Sequence, residues 1–516
     1  MFKKAAKLML TAALTASMLA PSATIVFAEV VTDDGVKIDA TVEDEEVHLK
    51  DVKSDEHDAV EIKADNGHVA EVTTGNLESE KAAALDVDAK NGSTVDVYVD
   101  GSAVSDTAGD ECGVIVIAGN SPGKDDSNVD VTIKGNAQGC IGAEVEAGNG
   151  STVTVTIEGD ALGTNNVWGS STGLQVNSYR GGTANVIVNG DSIGNDEKTD
   201  RGAYVGSYEG NSNVFIGGNV DGDYGLCSGA GNNGKNNIVV EGTVHGEKAG
   251  VIVSDSDGGE SSITVWKVET DKDGVIAGKY DDDGNLVEDK EAEKKIQYIV
   301  KVDQPKGATL TATDANGKAL ATVTAVNGKT FEYAHQGDKV LLKVDVDKDY
   351  SLDAVYGDKG QQYKLVKDAS GNYYVEVPAG GGVYFSAVLS KKEKDKDEDK
   401  KEEEKAAANT NATTVTPATT ALAVEQAAVQ AAVTSISSTP VGGTANVAVT
   451  GTSIDSSVVR MLLARRDINV SLACFVNGKL CSIMIPAGAD LSDIIKPDGT
   501  IDVEKLAKKF GKTEVQ

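Results

Sequence analysis

Clustered carboxylates and two isolated arginines are the residues of this chain whose types and spacing could do chemistry. Asp125-Asp126 and Asp281-Asp282-Asp283 are runs of adjacent acids, and Arg180 and Arg201 are the only arginines before residue 460. Cleavage of a glycosidic bond by hydrolysis uses two opposed carboxylates, one of them protonated near neutral pH. Cleavage by elimination needs an Arg or Lys base beside acids that hold calcium. Both acid runs sit among Gly, Lys or Asn, where a solvated turn is the better account of them. Two basic residues in acidic loops form surface ion pairs more often than active sites. No catalytic residue is therefore assigned, and Arg180 and Arg201 stand as the candidates that an enzyme reading would use.

Metal chemistry has a second set of candidates. Asn136, Asp160, Asp191 and Asn219 each follow a glycine at the end of an alternating strand. They form a series that could line up as a cation-binding ladder, or serve as turn residues and stacked amides. DKDG (271–274) and DDDG (281–284) share residues with a calcium loop. Tyr280 and Lys290 stand where that loop needs a bidentate glutamate. The five histidines show no metal spacing. No cofactor is assigned; calcium is the cation the acidic loops would take.

The five cysteines are an odd number for an exported chain. In ACFVNGKLCSI (473–483), Asn477-Gly478 is a strong hairpin turn. Counting outward sets Cys474 opposite Cys481, within disulfide range. A bridge and a pair of reduced, half-buried thiols both remain open. No pairing is assigned to Cys112, Cys140 or Cys227.

These residues must be positioned by a repeat. Gly135, Gly159, Gly190, Gly218 and Gly242 each close an alternating strand and begin a G-x-x-x-G pattern: GNAQG, GDALG, GDSIG, GNVDG and GTVHG. Gly75 and Gly101 mark the same place upstream, and Asp51 and Val268 mark degenerate end units. A second strand follows in most units, as in GVIVI from Gly113 and GLQV from Gly173. A unit of about 24 residues cannot bury its apolar face alone, but stacked units can. Alternating Val, Ile and Thr suit a pleated surface with one buried face. Residues 29–290 are thus expected to form a parallel β-solenoid of about nine coils. A Greek-key sandwich is the rival, but it has no reason to repeat one order of strand, glycine corner and glycine-led strand. The region resembles the right-handed parallel β-helix repeats of bacterial surface proteins, and right-handedness is implied by that resemblance alone.

The flanking segments complete a mainly β organisation. Residues 1–28 combine Lys3, Lys4 and Lys7, a short apolar run and Val26-Phe27-Ala28, which reads as a secretory signal cut after Ala28. Residues 296–390 are expected to form a small β domain. GDKVLLKVDVDKDYSLDAV (337–355) and NYYVEVPAGGGVYFSAVLS (372–390) resemble the divergent internalin B-type repeat of Gram-positive surface proteins. That resemblance implies a spacer or binding module without catalysis. Gly380-Gly381-Gly382 and the insertion 357–371 depart from its pattern. Residues 391–445 read as a charged, then Ala- and Thr-rich linker. Residues 446–516 read as a small α+β module. One helix would turn Val458, Val459, Leu462 and Leu463 inward, and a last one Val503, Leu506, Ala507 and Phe510. GGTANVAVTGTSI (442–454) repeats GGTANVIVNGDSI (181–193) at ten of thirteen positions. Biased composition explains this more simply than a detached strand awaiting a partner.

A formal net charge of −33 disfavours nucleic acid as a partner. Aromatics make up 4 %, low for a protein that stacks sugars on flat rings. After removal of the signal no stretch is apolar enough to span a bilayer. The expectation is a secreted or envelope-associated, adhesin-like and non-catalytic protein. Its partner would be an extracellular glycan or surface protein. A polysaccharide lyase or glycosidase on the same scaffold is the alternative.

Overall fold

Alternation along each strand sets which side chains turn inward. In Thr152–Ile157, Val153, Val155 and Ile157 are fully buried while the three threonines face out. The computed structural model describes residues 25–26, 30–31, 35–105, 111–120, 125–164, 171–195, 200–271, 274–281, 285–357, 364–367 and 371–392. In the C-terminal region it describes 443–449, 453–454, 468–476, 479–489 and 501–514, with a few single positions between 432 and 494. The leader before Ile25 and most of the linker lie outside these residues.

One coil consists of three strands: Ile141–Gly148 on a first face, Thr152–Ile157 on a second and Ala161–Gly163 on a third. Each pairs in parallel with its counterpart one coil on, Thr172–Tyr179, Thr183–Val188 and Ser192–Ile193. The chain is a parallel β-solenoid. Its first face stacks Val36–Ala40, Val60–Ala64, Leu85–Ala89, Val114–Ala118, Ile141–Gly148, Thr172–Tyr179, Arg201–Tyr208, 224–231, 249–253 and Val275–Tyr280. Those ten rungs correct the expected nine coils. Nine corners, from Asp51 to Val268, give nine coils; the tenth rung, Val275–Tyr280, has no corner after it because Leu286–Glu288 folds back on it. The ladder also overruns its expected limits of 29 and 290. Ile25–Val26 pairs with residues 47–48, and Gln297–Ile299 continues the second face beside residues 264–265.

Antiparallel pairing ends the solenoid. Leu286–Glu288 folds back on Val275–Tyr280, and Thr330–His335 pairs with Gln297–Ile299. Between them lies the short helix Lys290–Lys295, capped by Asp289, whose carboxylate accepts the N–H groups of Glu291 and Ala292. The segment expected as a separate module from 296 to 390 therefore begins inside the solenoid's own sheet. The hairpin Ala321–Thr324 and Thr330–His335 lies over the second face. There Phe331 stacks on Phe215 with ring centres 6.3 Å apart, and Lys329 pairs with Glu241 at 2.9 Å. Two three-stranded sheets follow, one around Tyr384–Lys391 and one around Lys339–Val346.

The glycine run that departs from the internalin-type pattern now has a reason. Gly380, Gly381 and Gly382 all have positive φ, and the chain touches the solenoid's end there. The Val268 N–H donates to Gly380 O at 2.7 Å and the Gly382 N–H to Trp266 O at 2.9 Å. A Cβ on Gly381 would stand 2.1 Å from the Tyr298 ring. Tyr298 is fully buried.

The chain divides into two compact units, Met1–Lys394 and Asp395–Gln516. In the second, Thr444–Val449 lies parallel to Asn469–Val476, which pairs antiparallel with Lys479–Ile485. The strand repeated from the solenoid thus has its partner within this unit. Val458, Val459 and Leu462 are buried in its core, as are Val503, Leu506 and Ala507 of the helix Val503–Phe510; Phe510 packs against them half-buried. Leu463 and the Asn477-Gly478 turn lie outside the described residues. Among the described residues, no helix is long and apolar enough to cross a membrane.

Gly381→Ala combines a left-handed φ with a clash against the buried Tyr298 ring. It is expected to lower unfolding stability by about 2 kcal/mol or more and to speed proteolysis within 301–391. Thermal unfolding and limited proteolysis of the full chain check both effects.

Candidate functional site

The glycine-led corners hold a hydrogen-bonded ladder. Asn136 Oδ1 accepts the Asp160 N–H at 2.9 Å, and Asp160 Oδ1 accepts the Asp191 N–H at 2.9 Å. Asp191 Oδ1 accepts the Asn219 N–H at 2.6 Å, and Asn219 Oδ1 accepts the Thr243 N–H at 2.9 Å. Upstream, Asp51, Asn76 and Ser102 extend the same series. The four candidate cation ligands therefore each serve the backbone of the next coil, the role of turn residues that the sequence reading set beside cation binding. Burial pushes the Asp191 carboxyl up, against the pull of the Asn219 N–H. The glycine before each residue follows from the same geometry. A Cβ on Gly159 would meet Asn136 Oδ1 at 2.1 Å, and one on Gly190 would meet Asp160 Oδ1 at 2.2 Å.

The two arginines do not meet. In register Thr172 faces Arg201 and Tyr179 faces Tyr208, so Arg180 and Arg201 stand at opposite ends of the first face. Their separation along the strand is roughly 25 Å. Arg180 occupies a left-handed corner at φ 50°, and its N–H donates to Tyr208 O at 2.9 Å. The Arg201 guanidinium stacks 5.7 Å from the Tyr204 ring and reaches Cys227, whose thiol burial pushes up to about 11. Asp125 is buried, and its Oδ1 accepts the Ser127 hydroxyl. Asp281 Oδ1 accepts the Asn285 N–H at 2.8 Å, while Asp282 and Asp283 lie outside the described residues. The Asp125 N–H donates to Asn149 O at 2.8 Å and the Asn149 N–H to Tyr179 O at 3.2 Å, so Asp125 lies at the corner that holds Arg180 but two coils back.

Sequence reading missed a carboxylate cluster, because Asp86 joins Asp58 and Glu61 from the next coil. Asp58, Glu61 and Asp86 each bring an oxygen within 4.8 Å of the others. Glu61 is claimed by Lys37 at 2.5 Å and by Lys63, and Asp58 accepts the Ala83 N–H at 3.0 Å. Lysines thus balance charge that a cation would otherwise take. Burial, then the neighbouring Asp58, Glu61 and Asp88, push Asp86 up to about 6.

A concave site lies elsewhere, near the end of the solenoid beside the short helix. It is a cleft of about 520 Å³, within the usual range for small ligands. Tyr280, which is 49 % exposed, lines it with its ring, and Ser254 and Ser256 line it with hydroxyls, while the Ser261 hydroxyl is engaged within the fold. Lys279 and Lys295 bring donors. The carboxylates here have structural duties. Asp255 accepts the Ala230 N–H, the Ser261 N–H and the Ser261 hydroxyl at 2.7–3.0 Å. Asp289 caps the helix and pairs with Lys279 at 3.4 Å. Burial would raise its pKa, yet the Ala292 N–H and Lys279 hold it below the usual carboxylate range. Glu291 pairs with Lys294 at 2.9 Å. A half-exposed ring, hydroxyls and ammonium groups suit a polyhydroxyl ligand held by stacking and hydrogen bonds. The only sequence signal was DKDGVIAGKYDDDG (271–284), which marks the end of the repeat without showing that the chain folds back there.

No family model, curated protein or solved structure matches this chain.

Two outcomes follow from the electrostatics. Asp191→Ala leaves the Asn219 N–H without its acceptor and is expected to lower stability by about 1–2 kcal/mol. Chelator should leave the wild-type melting temperature unchanged, whereas a cation-holding ladder would melt lower. Asp86 holds its proton more tightly folded than unfolded. Its contribution to stability is therefore present at low pH and is lost as pH rises from about 4 to about 6. The loss is at most about 3 kcal/mol. Asp86→Asn should melt above wild type at pH 7 and level with it at pH 4, read by thermal unfolding across that range.

Proposed function

We propose that this chain is a secreted or cell-envelope-associated, adhesin-like protein that binds an extracellular glycan in the Tyr280 cleft without transforming it. The carrying observation is the cleft itself. It offers a ring, two serine hydroxyls and two lysines, one of them paired with Asp289, while its carboxylates serve as helix cap, turn acceptor and surface ion partner. A glycosidase would need two of them opposed and one held protonated. Arg180 and Arg201, the candidates of an elimination mechanism, are roughly 25 Å apart along the first face. The basic, apolar leader supports export. The resemblances to bacterial β-helix surface repeats and to the internalin B-type repeat support a Gram-positive surface setting. There the stacked coils would present the cleft on a rigid rod. A surface protein as ligand is the competing partner within this reading.

The test is binding of the purified chain to a panel of neutral and acidic glycans, with polysaccharide chain length followed in the same samples. Binding is expected without shortening. Tyr280→Ala should weaken it about fivefold, since lost stacking is worth on the order of 1 kcal/mol. Shortened chains would make the protein an enzyme. Binding that Tyr280→Ala does not change would place the glycan elsewhere.

A further inference from the structure

We infer that Cys474 and Cys481 close a cross-strand disulfide in the mature protein, formed between these two and with no solenoid cysteine. The structure holds all five cysteines as thiols. Cys474 and Cys481 are direct partners in the antiparallel pair Asn469–Val476 and Lys479–Ile485, and both are fully buried. Directly opposed strand residues lie about 4.5–5.5 Å apart at Cα, inside the range a disulfide spans without backbone movement. Both side chains point into one core with Leu472 and Ile483, so their Cβ vectors share a face.

The other three cysteines belong to the solenoid, in the other compact unit. Cys227 faces Tyr204 on one side and Ile252 on the other, with Arg201 beside it. Cys112 Sγ donates to Glu144 at 3.5 Å, and the Cys140 N–H donates to Glu111 O at 2.9 Å. Burial, then Glu144, raise the Cys112 thiol well above its ordinary range. A thiol held protonated attacks a disulfide slowly. Pairing within the C-terminal unit leaves an odd number of cysteines, all of them in the solenoid.

The reaction breaks two S–H bonds and forms one S–S bond. Two electrons and two protons pass to a disulfide oxidant, which leaves as a dithiol. The pair is sealed once the core closes, so oxidation must come before or during folding of the C-terminal unit. Export is needed only to supply the oxidant in the organism. A defined thiol–disulfide buffer supplies it in vitro, so the chemistry is tested apart from the localisation.

The experiment refolds the full chain in a mixture of reduced and oxidised glutathione. Thiols are then alkylated under denaturing, non-reducing conditions, and the peptides are mapped by mass. The expected map has one linked peptide pair, lighter by two hydrogens, joining Cys474 to Cys481, with Cys227 alkylated. Cys227→Ser should leave that link intact. Reduced wild type and the Cys474→Ser, Cys481→Ser double variant should both melt several degrees lower in the C-terminal transition. Alkylation of Cys474 and Cys481 without prior reduction overturns the inference, and so does a link from either to a solenoid cysteine.

Discussion

One hydrogen bond, repeated from coil to coil, sets the register on which the rest of the solenoid depends. A side-chain oxygen at the corner of one coil accepts the backbone N–H at the same corner of the next, as Asn136 does for Asp160 and Asp160 for Asp191. The bond is tight enough to leave no room for a Cβ on the glycine before each acceptor. With corners locked, each strand falls beside its counterpart one coil on, and Val153, Val155 and Ile157 stack on Ala184, Val186 and Val188. A slip of one residue would turn every one of these side chains outward. The corner ladder and the apolar interior therefore specify the same register independently.

A stack of this kind ends in unpaired backbone unless something covers it. At the C-terminal end the chain reverses strand direction twice and lays a hairpin over the second face, with Phe331 on Phe215. Three consecutive glycines with positive φ then bring the backbone against Val268 and Trp266. The cleft arises beside this change of direction. It is concave because a short helix and a returning strand stand beside a regular corner, and regular coils alone offer flatter faces. The position of the candidate site is thus a by-product of how the solenoid is closed.

The sequence made the repeat legible because its markers are local: an alternating strand, a glycine, a short polar residue. It also made Cys474 and Cys481 legible as opposed residues, since a two-residue turn fixes the count on both sides. Coil number was under-read, since the last rung, Val275–Tyr280, is followed by an antiparallel return and by no corner that would mark it. The site was not legible. Tyr280 and Asp289 are close in sequence, but Ser254 and Ser261 come from the preceding coil, and no periodic feature links them. The Asp58, Glu61 and Asp86 cluster was hidden in the same way, since residues one coil apart in sequence are neighbours only after stacking.

By itself, then, the sequence determined that the chain must stack, which faces turn inward and where the corners fall, because alternation and glycine act within a few residues. It also determined the surplus of negative charge. Tertiary structure decided what each polar corner residue does, since the N–H groups that reach a side chain make it a turn acceptor. It decided that Arg180 and Arg201 lie at opposite ends of a face, since their distance follows from register and not from sequence separation. It also decided where the solenoid ends, because an end is defined by what pairs with the last rung, and that partner comes from residues far along the chain.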